Sequence, residues 1–232
     1  MRAFCVVLRG IHKGEGRFLV SYVSLFGEIA ELAGLHFTGD IPVEYSDEVR
    51  QGFLVAVDTG VLFDKRREEE LFQPVDKSVT DLLGDYFPEE RKVIIYTKVC
   101  ESTANSLGLR YDHLEYVVAA HEISHAITHL GEERFPGSGI IWDWYPYADL
   151  WDKELFAQLY PFLHFGHYGK REVLDVFQKL SANQLPIYNS WKPYRHIPLH
   201  EVNELLSLTR LRRFCAWINL DPPAVEEKIA LP

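Results

Sequence analysis

The stretch from Asp112 to Leu130 constrains the fold of this chain most, because it is apolar on nearly every side yet carries two histidines and a glutamate at its centre. Val117, Val118, Ala119, Ala120, Ile123, Ala126, Ile127 and Leu130 fall all round a helix of 3.6 residues per turn, and a helix with no polar face is a buried one. Asp112 is the expected N-cap, with Glu115 three residues on completing a capping-box-like pair, and Gly131 is the expected stop. Set into the apolar surface are His121, Glu122 and His125, in the pattern H-E-x-x-H. Burying such groups without partners costs several kcal/mol, so something must bind there.

The spacing indicates what that is. Residues four apart share a helix face with Cβ atoms about 5 to 6 Å apart, close enough for two imidazoles to reach one ion through bonds of roughly 2.0 to 2.1 Å. His121 and His125 are therefore candidate zinc ligands. Glu122, rotated by about 100° from His121, can sit beside the open coordination position without filling it. A carboxylate there can take a proton from a water made acidic by the metal, deliver hydroxide to a carbonyl carbon and return the proton to the leaving amine. Glu122 is the candidate general base.

A catalytic zinc site normally has three protein ligands. His129 lies eight residues after His121, about 12 Å along the axis, too far to share the ion on an intact helix. A metzincin would need its third histidine at position 131, which is Gly131. A peptide deformylase would use a cysteine, but Lys98-Val99-Cys100-Glu101-Ser102 does not resemble the cysteine segment of those enzymes.

Downstream, Asp152-Lys153-Glu154-Leu155-Phe156-Ala157-Gln158-Leu159 places a glutamate 29 residues after His125. With the H-E-x-x-H helix, this stretch resembles the gluzincins, especially the small intracellular bacterial zincin-like metalloproteases of phage-repressor and radiation-response regulation. The resemblance covers about Lys92 to Leu163. It implies Glu154 as the third ligand, with Asp149, Asp152, Asp143 and Glu133 as alternatives. It further implies one bound Zn2+ ion, a peptide or protein substrate, and an α+β zincin-like fold with a small mixed sheet packed on the H-E-x-x-H helix and a largely helical C-terminal part. Thermolysin-like members carry an Asp four residues after the ligand glutamate to orient a histidine; here Gln158 stands in that place. In zincin folds the strand before the zinc helix often offers its edge to substrate, so Lys92 to Val99 is either such a pairing strand or an ordinary strand of the sheet. The aromatic stretch Trp142 to Tyr147 lies between the two ligand helices, so Tyr145 or Tyr147 could stabilise an oxyanion, as could His164, His167 or Tyr168.

The rest of the chain supports one domain over 1–232, with an α+β part over 1–90, the zinc-site core over 91–163 and a helical part over 164–232. Ala3 to Leu8 and Phe53 to Val57 read as strands, and Phe18 to Leu35 as a helix with Leu25, Ile29 and Leu32 inward, its start also compatible with a strand. Lys92 to Val99, β-branched and flanked by charge, reads as a strand near a sheet edge. Helices are expected over Asp149 to Tyr160, Val173 to Leu180 and His200 to Ile218, the last with a stripe of Val202, Leu205, Leu206, Leu211 and Ile218. The charge run Lys65 to Glu70 reads as a solvated surface, and Arg210, Arg212 and Arg213 as solvent-side cover.

Of 232 residues, 47% are hydrophobic and 25% charged, which suits a packed globular protein. A net charge of −10 argues against a broad nucleic-acid surface. The apolar run after Arg2 is too short for a signal-peptide core and no stretch approaches a membrane span of about 20 residues. Cys5, Cys100 and Cys215 are odd in number and far apart, which argues against a disulfide framework. A cytoplasmic location is the resulting expectation. The rival to a peptidase is a zinc-binding regulatory or interaction protein that keeps the site with little hydrolytic activity.

Overall fold

Thirteen elements, the H-E-x-x-H helix among them, make up the described part of the computed structural model, which describes residues 22–37, 41–47, 83–133, 145 and 148–217. In chain order they are α1 (Tyr22–Leu32), β1 (Leu35–His36), β2 (Val43–Ser46), β3 (Gly84–Phe87), β4 (Lys92–Tyr96), α2 (Thr97–Leu107), α3 (Tyr111–Leu130), β5 (Glu132–Glu133), α4 (Leu150–His167) and α5 (Arg171–Ser181). Two 3-10 turns (Pro186–Asn189 and Lys192–Tyr194) and α6 (Leu199–Trp217) follow. The architecture is mixed α+β and mostly helical. The strands expected at Ala3 to Leu8 and Phe53 to Val57, the charge run Lys65 to Glu70, and Asp143 and Tyr147 lie outside the described residues, as do the side chains of Glu133, Arg213 and Cys215.

The run Lys92-Val93-Ile94-Ile95-Tyr96 forms the centre, not the edge, of a three-stranded sheet. β2 pairs with β4 in parallel, Val43 opposite Val93, and β3 pairs on the other side antiparallel, Gly84 opposite Ile95. All five β4 residues are buried, Lys92 included: its stem is covered while its ammonium bridges Glu44 and Glu90 at 3.4 and 2.5 Å. The flanking lysine therefore marks a snorkelling stem and not an edge, and the strand ends at Tyr96 where α2 begins. Both sides of β4 are taken, so a peptide cannot add there.

Helix α3 packs against α1, α2, β3, β4, α4 and α5. Its Leu114, Ala119, Ala120, Ile123, Ala126 and Ile127 expose nothing to solvent. Burial of an isoleucine such as Ile123 contributes about 1.5 to 3 kcal/mol, and one core runs from Tyr22 through α3 to Leu206. The expected capping box is not formed. The helix starts at Tyr111 with Arg110 as N-cap residue; Asp112, in the first turn, holds the Arg110 guanidinium at 2.6 Å, and Glu115 accepts from the hydroxyls of Tyr22 and Tyr45 at 3.2 and 2.9 Å. Gly131 does end the helix, its N–H donating to the Ile127 carbonyl. A Cβ there would lie 2.6 Å from the Ile127 oxygen and 2.9 Å from Leu35, so the close approach of chain and helix demands glycine.

Helix α4 also departs from expectation. Asp149 caps it, its carboxylate accepting from Asp152 N at 2.7 Å, but the helix passes through Pro161 and ends only at His167. Proline has no N–H, so the carbonyl of Ala157, four residues earlier, gets no donor from within the helix. Helices α5 and α6 lie where the apolar pattern put them. Val202 and Leu206 are buried, but Leu211 is 40% exposed, so the stripe of α6 stops short of it. Arg210, expected on the solvent side, instead donates to the Thr128 carbonyl of α3, while Arg212 is exposed.

Candidate metal centre

Helix α3 sends His121 and His125 from one face, and α4 meets them with Glu154. The two Nε2 atoms are 3.1 Å apart; Glu154 places Oε2 3.3 Å from the first and Oε1 3.4 Å from the second. A tetrahedral ion with bonds of roughly 2.0 to 2.1 Å needs ligand atoms about 3.3 to 3.4 Å apart. All three side chains are nearly covered, and Glu154 Oε2 makes no hydrogen bond of good geometry. Two imidazole nitrogens and a carboxylate oxygen that turn toward one point, in a buried setting, fit a divalent cation.

Electrostatics pulls the members of this cluster in different directions. Burial lowers the proton affinity of His125. For His121 burial acts the same way, but the Glu154 carboxylate outweighs it and leaves the ring above its usual range. Burial would likewise raise Glu154, yet the two imidazoles hold it well below the ordinary carboxylate range. Glu122 behaves oppositely: burial, with Asp85 and Glu154 nearby, pushes its carboxyl up to about 8. Two carboxyl groups in one cleft are thus driven apart by their surroundings, Glu154 held in its charged form and Glu122 raised in proton affinity.

Ligand-type atoms of His121, Glu122 and His125 all lie within 4.8 Å of one another, so Glu122 belongs to the cluster as well. It does not take the place of Glu154. Its side chain runs along β3, where a Cβ on Gly84 would come 2.9 Å from Glu122 Cγ and 3.1 Å from Oε1. Glycine at position 84 lets strand and helix approach closely enough to hold that carboxyl between the histidines and the sheet.

The imidazoles are supported from behind by different means. Nδ1 of His125 meets the Tyr145 hydroxyl at 3.1 Å. The Tyr145 ring stacks on His129 at 4.7 Å and lies under the Lys153 ammonium at 4.6 Å. His129 itself shares a 2.8 Å hydrogen bond with the Tyr86 hydroxyl through Nδ1. Nδ1 of His121 is buried without a well-aligned partner. The Ala157 carbonyl freed by Pro161 nevertheless acts on that ring, favouring its protonation. Gln158 makes no bond to His121.

Tyr145, expected as an oxyanion donor, is therefore engaged with the back of a candidate ligand. His164 and His167 are not at the site either. His164 is fully buried between Tyr116, 3.2 Å away, and Glu28, 3.5 Å away, while His167 is exposed with Tyr168 beside it. Asp149 is used up as the α4 cap, and Asp152 occupies the first turn. Cys100 sits away on α2, its thiol donating to the Leu83 carbonyl at 3.4 Å and pushed up to about 12 by burial. It lines no part of the cleft.

A cavity of about 200 Å3 opens over the cluster, bordered by β3, α3, α4 and α5. Gly84, Asp85, Gln184 and Tyr188 border it and were not foreseen. Asp85, on β3, is half-buried, and burial together with Glu154 raises its carboxyl to about 6. The signal for this strand was present: Gly84 to Phe87 and Lys92 to Tyr96 flank a four-residue Pro88-Glu89-Glu90-Arg91 turn, a hairpin pattern. Comparison of the chain with protein-family models, with curated proteins and with solved structures gave no match. Among the described residues no helix is long and apolar enough to cross a membrane.

Proposed function

We propose that this chain is a zinc-dependent metallopeptidase, a hydrolase of gluzincin type with a zincin-like fold, in which His121, His125 and Glu154 hold one zinc ion and Glu122 is the general base. The observation that carries the reading is the convergence of the two Nε2 atoms and the Glu154 carboxylate at 3.1 to 3.4 Å, with a high-affinity carboxyl beside them. Bound there, zinc supplies Lewis acidity, polarising a carbonyl and making water acidic. Glu122, kept proton-seeking by burial, accepts a proton from the attacking water and hands it to the leaving amine.

The substrate in this reading is a peptide or one regulatory protein of the cytoplasm, lying extended along β3. Within the described residues β3 has β4 on one side only, and it borders the cavity through Gly84, Asp85 and Tyr86. This moves the pairing edge from β4 to β3, leaving the mode of pairing as expected.

Metal analysis of purified protein after zinc reconstitution tests the ligand set. Wild type should hold one ion, and His121→Ala and Glu154→Ala should bind it far more weakly; wild type without zinc would sink the metal reading. A peptide-library screen with a chelator control then tests turnover. Glu122→Gln should keep zinc and lose hydrolysis, whereas a regulatory protein would keep zinc, cleave nothing as wild type and be indifferent to the substitution.

A further inference from the structure

Two buried carboxamides border the cleft and play no part in the metal centre. Gln158 lies one turn beyond Glu154 on α4 and is 4% exposed; Gln184, just after α5, is 8% exposed. Neither side chain has a hydrogen-bond partner among the described residues, whereas Ser181 between them is satisfied by the Phe177 carbonyl at 2.9 Å. Their amide atoms are not among the side-chain atoms closed off from solvent without a partner, so both amides stay open to the cavity they line. Two such groups on one cavity are what a site built to read a polar ligand looks like before the ligand arrives.

The neighbouring residues limit what that ligand is. Asp85, Glu122 and Glu154 border the same cavity against the one ammonium of Lys153, so a carboxylate is disfavoured. A cation would be drawn to those acids and could use only the acceptor oxygens of the two amides, leaving both NH2 groups unanswered. Phe177 and Leu180, also on the cavity, suit a short apolar stem. Each glutamine offers an acceptor oxygen and an NH2 donor, the complement of another carboxamide.

We infer that Gln158 and Gln184 form a recognition subsite for the side-chain carboxamide of an asparagine or glutamine in the bound peptide. The inference rests on the cavity being a substrate cleft. It also gives Gln158, which makes no bond to His121, a role where thermolysin-like members have a histidine-orienting Asp.

Binding to zinc-loaded Glu122→Gln protein tests this without turnover, using acetyl-Ala-Gln-Ala-amide and its analogues with Met, Glu or Lys in the central place. The Gln peptide should bind about tenfold or more tightly than the others, as expected when the rival leaves a buried polar group unpaired. Adding Gln158→Leu and Gln184→Leu together should reduce the preference to about twofold. Should the double substitution fail to fold, Gln158→Met or Gln184→Leu alone should weaken it, and the selectivity of the parent protein remains decisive. Equal binding of all four peptides, tightest binding of the Met, Glu or Lys peptide, or binding of none overturns the subsite. Selective binding of the Gln peptide by a zinc-loaded wild type that cleaves no peptide would instead reject the peptidase reading and leave the subsite standing.

Discussion

The Tyr145 hydroxyl and Nδ1 of His125 lie 3.1 Å apart, both buried, so the phenol fixes the imidazole from the side away from Glu154. If the ring donates from Nδ1, Nε2 is left as a bare lone pair aimed at the point where Nε2 of His121 also aims. Burial keeps the phenol neutral, raising its proton affinity well above the usual tyrosine range.

Tyr145→Phe keeps the ring that stacks on His129 and removes only the oxygen. Loss of such an outer support typically costs a metal site about 10- to 100-fold in affinity. Chelator-competition titration should show zinc affinity falling within that range, with metal content still restorable at excess zinc. Unchanged affinity would mean the phenol is a packing contact alone.

Pro161→Ala restores an N–H four residues after Ala157 and draws that carbonyl back into the helix. Two effects of opposite sign follow. The metal-free protein should unfold at higher temperature, by an amount corresponding to up to about 3 kcal/mol, while in the zinc reading proposed above the affinity should fall by about tenfold if the Ala157 carbonyl orients the His121 ring. A variant that is more stable and binds zinc as before would show that the carbonyl does not orient the ring.

Gly84→Ala places a methyl 2.8 Å from Val118 Cγ1 and 2.9 Å from Glu122 Cγ. Overpacking of this kind costs about 1 to 3 kcal/mol. In the metallopeptidase reading proposed above, the substitution touches Glu122 and not His121, His125 or Glu154, so zinc content should survive while turnover drops sharply. Steady-state kinetics beside metal analysis separates the two, and full activity would mean that Glu122 can move without consequence.

His164 offers a pH test remote from the ligands. Burial, then Lys170 and His167, hold its pKa down at about 3 from 6.5. Glu28 and Tyr116 also face it, at 3.5 and 3.2 Å, with Lys170 3.7 Å from Glu28. The folded pKa is depressed, so below about 6.5 the unfolded chain takes up a proton that the folded chain refuses. Stability is full above that pH and declines as pH falls toward 3. Urea titrations across this range should show the decline, and His164→Phe should flatten it if the protein folds; an unaltered slope would place the acid sensitivity on other groups.

The H-E-x-x-H helix was legible because its pattern has no alternative: apolar residues on all faces dictate burial, and two histidines four apart share a face. Glu154 was reached through resemblance, and the contacts place it against both histidines. Tyr145 was singled out by its position between the ligand helices, but which of its neighbours it would touch depends on packing that no local pattern encodes. β4 was mistaken for an edge because a flanking lysine looks the same in sequence whether its stem is buried or free. The extent of α4 was misread at Pro161, since a proline stops a helix only where the surroundings cannot use the carbonyl it releases. Gln184 and Gly84 matter through tertiary proximity alone.

Helix α3 packs against the sheet, α1, α2, α4 and α5, and that has a cooperative consequence. To expose the amides of His121, Glu122 and His125 to deuterium, the sheet, the first helix and both following helices must all part from it, so these amides should exchange only through global opening. The free energy that keeps His121, Glu122 and His125 in register is then the folding free energy of the whole molecule. A core substitution as distant as Leu25 on α1 would raise the fraction of molecules without a site in step with the fraction unfolded.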